Sequence, residues 1–131
     1  MTIRHTIDDD RRLLVIGLSG PVTGNELQAF AQELYGSRAE LFDYECVVDL
    51  REYRGDISYS DLNPLQDVYA ARPEGEASSR AGFIVTSDPN FQFWAAALDA
   101  QFPGRKHYVV ASLEEAFSRL EGRRKMQAGG T

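Results

Sequence analysis

Apolar residues in this chain come in two alternating patterns. Leu13-Leu14-Val15-Ile16-Gly17-Leu18, Cys46-Val47-Val48-Asp49-Leu50, Gly82-Phe83-Ile84-Val85 and Tyr108-Val109-Val110 are short, nearly unbroken and rich in β-branched residues. Such runs predict strands buried on both faces, because a strand with one wet face alternates instead. Residues 2–7 do alternate, which predicts a half-exposed strand joined to the next by the polar turn Asp8-Asp9-Asp10-Arg11. So short a link forces those two strands into an antiparallel hairpin.

Between the strands the spacing becomes helical. Thr23-Gly24-Asn25-Glu26 reads as a capping box; Leu27, Phe30, Ala31 and Leu34 share one face, and Gly36 is the expected stop. A second helix is expected from Ser60-Asp61, with Pro64 in its first turn, a stripe of Leu62, Leu65 and Tyr69, and Val68 at the border. Residues 72–79, rich in Pro, Gly, Ser and Glu, read as a mobile surface loop. Asp88-Pro89 predicts the cap and first residue of a third helix with Phe91, Trp94, Ala95, Leu98 and Phe102 on one face, ended by Pro103-Gly104. Ser112-Leu113-Glu114-Glu115 is a second capping box, and Leu113, Ala116, Phe117 and Leu120 form the last stripe.

The resulting order, β-β-α-β-α-β-α-β-α, predicts an α/β fold. It should be a single-layer mixed five-stranded sheet, an N-terminal antiparallel hairpin and then parallel strands, with four helices. Cys46, Val48, Ile84 and Val109 are the expected buried positions on the strands. Residues 1–121 form the expected domain, and residues 122–131, where the periodicity lapses, a flexible C-terminal tail.

Composition narrows the function by exclusion. A net charge of -6 argues against a nucleic-acid partner and against simple electrostatic docking on anionic membranes. The lone Cys46 permits no intrachain disulfide, fits a reducing compartment and reads as a small core residue. With no apolar stretch of signal-peptide or membrane-spanning length, the expectation is a soluble cytoplasmic protein.

Enzyme-like constellations are incomplete. Asp49, Thr86, Ser87 and Lys106 suggest a phosphoacceptor receiver, but the acidic cluster Asp8-Asp9-Asp10 precedes the second strand and Lys106 precedes the last. That cluster also lacks the alternating ligands, turn glycine and distant glutamate of an EF-hand loop. Gly17-Leu18-Ser19-Gly20 lacks the spacing of a dinucleotide fingerprint. His5 and His107 have no Cys partners for zinc and no neighbouring nucleophile. No catalytic residue, metal ligand or cofactor is expected.

Four segments, in this order and spacing, resemble the SpoIIAA-like family of the STAS superfamily over roughly residues 3–120. They are Leu18-Ser19-Gly20-Pro21-Val22-Thr23, Val48-Asp49-Leu50-Arg51, Arg80-Ala81-Gly82-Phe83-Ile84-Val85 and Val110-Ala111-Ser112-Leu113-Glu114-Glu115-Ala116-Phe117. The resemblance implies binding and regulation without catalysis. Anti-sigma-factor antagonists of that superfamily carry a phosphorylatable serine in an Asp-Ser-x-Gly-type motif before the second helix. This chain has Ile57-Ser58-Tyr59-Ser60-Asp61-Leu62 there, without that aspartate or glycine, and Ser60 reads as a helix cap. The related Sec14-type lipid-exchange proteins suggest instead a cleft for an apolar ligand.

Ligands of parallel sheets bind beyond the carboxyl ends of the strands. Arg51, Tyr53, Ser58, Ser60, Phe91 and Trp94 border those ends and are the candidate ligand- or partner-binding residues, with each following helix expected to present free amides. Phe93, opposite the apolar face of the third helix, marks a candidate exposed patch. The expected partner is a protein or a small apolar ligand; peripheral membrane contact and a homodimer are both left open.

Overall fold

The computed structural model describes residues 2–55, 57–71, 80–102 and 105–129. It is an α/β fold with one mixed five-stranded sheet in the order β1-β2-β3-β4-β5. The strands are β1 (Thr2–Asp8), β2 (Leu13–Gly20), β3 (Glu45–Tyr53), β4 (Arg80–Val85) and β5 (Arg105–Val110). β1 and β2 pair antiparallel and every later pair is parallel, as the apolar runs predicted. The helices are α1 (Gly24–Ser37), α2 (Asn63–Ala71), α3 (Phe91–Gln101) and α4 (Leu113–Gly129), with short 3-10 turns at Ala39–Asp43 and Tyr59–Leu62.

Strand alternation divides the core into two faces. Leu13, Val47, Phe83, Val85 and Val110 pack on one face against Ala116 and Leu120 of α4. Leu14, Ile16, Leu18, Cys46 and Ile84 point to the other, where α1, α2 and α3 lie. Each of those three helices connects one strand to the next neighbour in the sheet. Repeating a right-handed crossover in one direction keeps all of them on the same face. The strand order never reverses, so the sheet has no switch point.

Local details depart from expectation. Cys46 and Ile84 are buried as expected, whereas Val48 and Val109 are half-buried and packed at the margin of the helix-face core. The Thr23–Glu26 capping box forms, but α1 runs one residue past Gly36, whose missing side chain would meet nothing. Ser58, not Ser60, caps the turn before α2: its hydroxyl accepts from Ser60 N, while Asp61 accepts from Ser58 N at 2.9 Å. Asp88 likewise closes a tight turn by accepting from Asn90 N at 2.9 Å, and α3 begins only at Phe91. Phe117 is exposed, because Ala116 and Leu120 meet the sheet and turn it outward. The side chains of Leu62, Leu65 and Val68, the 72–79 link and the Pro103-Gly104 stop lie outside the described residues.

The largest correction is at the C-terminus. The expected flexible tail from residue 122 is helical as far as Gly129, with Gly130 and Thr131 outside the described residues. Arg124 Nε lies 3.0 Å from Oε1 of Glu45, and Arg123 Nε 3.9 Å from its Oε2. Glu45 is only 5% exposed. A buried carboxylate demands a cation, so charge continues the helix where apolar periodicity stops.

Candidate functional site

β3 holds the first determinant of the site. Gly17 faces Asp49 and Ser19 faces Glu52, so Leu50 and Arg51 together oppose the single residue Leu18. This bulge reverses the alternation beyond it. Cys46, Val48 and Leu50 face the helices; without the extra residue Glu52 would follow them, but Tyr53 does instead. Tyr53 Oη accepts from Ile57 N at 2.6 Å and ties down the loop after β3. Gly55 lets that loop close, since a Cβ there would stand 2.5 Å from both Tyr53 Oη and the Val22 carbonyl.

A cleft of about 310 Å³ lies at the carboxyl ends of β3 and β4, and its walls include Arg51, Tyr53, Thr86, Asp88, Phe91 and Trp94. Four of the six predicted site residues therefore meet here. Ser58 and Ser60 stand outside the cleft, exposed and hydrogen-bonded to each other at 2.9 Å between their hydroxyl oxygens. Phe93 is 76% exposed, and among the described residues the other large exposed apolar side chains, Phe117 and Met126, belong to α4 across the sheet. A single exposed aromatic is ordinary and makes no patch.

Two features of the cleft argue against an anion site. Arg51 grips Asp49 with both ends of its guanidinium, Nε to Oδ1 and Nη2 to Oδ2, each at 2.9 Å. That grip holds the Asp49 carboxyl below its ordinary range and raises Arg51. The first amides of α3 are also engaged, contrary to expectation: Phe91, Gln92 and Phe93 N–H groups donate to the carbonyls of Asp88, Pro89 and Asn90 at 3.1–3.2 Å. A helix end closed by such tight turns has few amides left for a phosphate.

Below the cleft, between the sheet and helices α1 and α3, lies a cavity of about 160 Å³. Ile16, Leu18, Phe30, Val48, Ile84 and Leu98 contribute to its apolar walls. Leu50, Tyr53, Ile57, Phe91 and Trp94 line both spaces, so the cleft adjoins the cavity across these side chains.

Polar groups gather at the opposite end, near the start of β5. Arg105 Nη1 donates to the carbonyls of Phe42 at 2.6 Å and Tyr44 at 3.0 Å. Tyr35 stacks flat on Phe42 with ring centres 4.1 Å apart. Burial pushes the Tyr35 phenol well above its usual range and the Cys46 thiol up to about 11, so Cys46 is a protonated wall group at neutral pH. His107 is held by Asp99, whose Oδ1 takes both the His107 backbone N–H at 2.7 Å and Nδ1 at 2.8 Å. Burial lowers the His107 pKa against the pull of Asp99, with Arg105 and Lys106 adding to the lowering. For Asp99, burial works upward but is outweighed by hydrogen bonds from His107 and Lys106, leaving it below the ordinary carboxylate range.

Sequence reasoning placed His107 at the mouth of the last strand and missed its role as a cavity wall. Gly82, inside an otherwise β-branched and aromatic strand, was the available signal, since such a glycine marks a close approach. Among the described residues no group of three His, Cys, Asp or Glu side chains gathers as a metal site, and no helix is long and apolar enough to cross a membrane. No protein-family model matches the chain, and no curated protein matches it.

The His107 shift sets an expected pH dependence. Its folded pKa lies below the unfolded value near 6.5, so below that pH the unfolded chain binds the extra proton first and stability falls. Asp49 and Asp99, both depressed, act only at lower pH, below the ordinary aspartate value of 3.8. Melting temperature should therefore start to fall below about pH 6.5. His107→Gln should remove that limb; an unchanged slope in the variant would refute the assignment.

Proposed function

We propose that this chain is a non-catalytic binding module of STAS/SpoIIAA-like type that takes a small, mainly apolar ligand in the cavity under α1 and α3. The cleft at the strand ends would be the entrance. The observation that carries this reading is the cavity of about 160 Å³ together with the cleft that adjoins it at Tyr53, Phe91 and Trp94. An apolar cavity of about 150 Å³ cut into a protein core stays dry and accepts benzene, so this space suits a single ring. That size favours sensing of a small molecule over carriage of a long-chain lipid. The consecutive strand order with three crossover helices on one face agrees with the SpoIIAA-like resemblance. The protonated Cys46 and the committed Arg51 support a binding role over a catalytic one.

A regulatory output follows from where the cleft lies. The loop after β3, with Ser58 and Ser60 exposed beside it, would carry ligand occupancy to a protein partner in the cytoplasm. The test uses toluene as probe, followed by the methyl resonances of Val48, Leu50 and Ile84, and native mass spectrometry of freshly purified protein. Saturable shifts confined to those methyls, or a co-purified small molecule, are expected. An apo mass combined with no methyl shift would overturn the reading.

A further inference from the structure

We infer that the cavity is built for a ring bearing a hydroxyl, with Nε2 of His107 as the acceptor of that hydroxyl's proton. This rests on the cavity reading above and goes further by naming the ligand chemistry.

Three observations converge. First, Asp99 fixes the tautomer: with Nδ1 2.8 Å from the carboxylate, the neutral ring carries its proton there and leaves Nε2 bare. Second, the His107 side chain is only 10% exposed and Nε2 has no hydrogen-bond partner among the described residues, although the ring lines the cavity. Nε2 is not sealed from solvent, so it keeps an accessible surface that a ligand's donor can reach. Third, the backbone makes room for it. Gly82 and His107 are paired across β4 and β5, and a Cβ on Gly82 would stand 2.8 Å from Cδ2 and 3.4 Å from Nε2 of the ring. Glycine lets the imidazole lie over β4, where a Cβ would push the ring aside, and glycine inside a strand is itself unfavourable.

The remaining surroundings set the class of ligand. A neutral imidazole nitrogen offers a lone pair, so it repels a carboxylate and welcomes a donor. Val48, Ile84 and Leu98 supply apolar wall beyond the polar end, where Cys46 is uncharged and Arg105 spends Nη1 on two main-chain carbonyls. A phenol or small cyclic alcohol satisfies both demands, placing its ring among Val48, Ile84 and Leu98 and donating its hydroxyl to Nε2.

Phenol and toluene, nearly equal in size, separate the possibilities. In a purely apolar cavity toluene binds more tightly, because phenol must strip water from its hydroxyl. In this protein phenol is expected to bind about fivefold more tightly than toluene, the net worth of one buried hydrogen bond. His107→Leu should reverse the order. In the unaltered protein, the ¹⁵N resonance of His107 Nε2 should shift with phenol and stay put with toluene, a readout that needs no variant. Equal or tighter binding of toluene, or a still Nε2 resonance, overturns the hydroxyl assignment and leaves the cavity reading intact. Binding of neither probe overturns both.

Discussion

A chain ending at Glu121 is expected to melt roughly 10 °C below the full-length protein, from a loss of about 3 kcal/mol. The truncation removes Arg123 and Arg124, the cations facing the buried Glu45. Arg124 matters most: Nε sits 3.0 Å from Glu45, and Nη2 donates to the Arg11 carbonyl in the turn after β1. An uncompensated buried carboxylate is worse than no charge at all. Arg124→Met, which keeps the apolar stem and leaves Arg123 beside Glu45, should cost less than the truncation, about 2 kcal/mol by urea denaturation. Adding Glu45→Gln should recover much of that loss, since neither charge then remains unpaired. A truncated chain melting within a few degrees of the full one would show that the end of α4 contributes nothing.

Phe83→Ala is expected to cost about 3–5 kcal/mol and to leave ligand binding by the folded fraction unchanged. Phe83 is 1% exposed, lies beside the Tyr108 ring at 5.5 Å, and carries the Arg119 guanidinium 5.6 Å above its own ring. Truncation deletes a large apolar volume that α4 cannot collapse to fill. Phe83 also borders the cavity, yet its side chain packs in the α4-face core, and the next residue, Ile84, packs on the cavity side. Urea denaturation with a toluene titration of the same variant checks both halves. Loss of toluene binding without unfolding would mean that the two faces of β4 are coupled.

Much of the architecture was legible because its causes are local. Continuous β-branched runs at residues 13–18, 46–50 and 82–85 predict strands wherever they occur, and Thr23-Gly24-Asn25-Glu26 caps a helix by contacts three residues apart. The convergence of Arg51, Tyr53, Phe91 and Trp94 was legible too, since parallel strands deliver their following loops to one edge. The cap of the second helix was misplaced from Ser58 to Ser60 because both serines can accept from a first-turn amide, and only backbone geometry chooses between them.

The sequence by itself determined the order and kind of the elements, the two-faced burial of the strands and the edge of the sheet at which the loops diverge. Tertiary structure alone decided what those elements enclose. The bulge opposite Leu18 that turns Tyr53 inward, the lean of His107 over Gly82 and the pairing of Glu45 with Arg124, 79 residues apart, arise from strand register and helix docking. Periodicity reports which face of an element is apolar, through residues three or four apart. It carries no information on which distant residue lies opposite, and a binding site is made of such opposites.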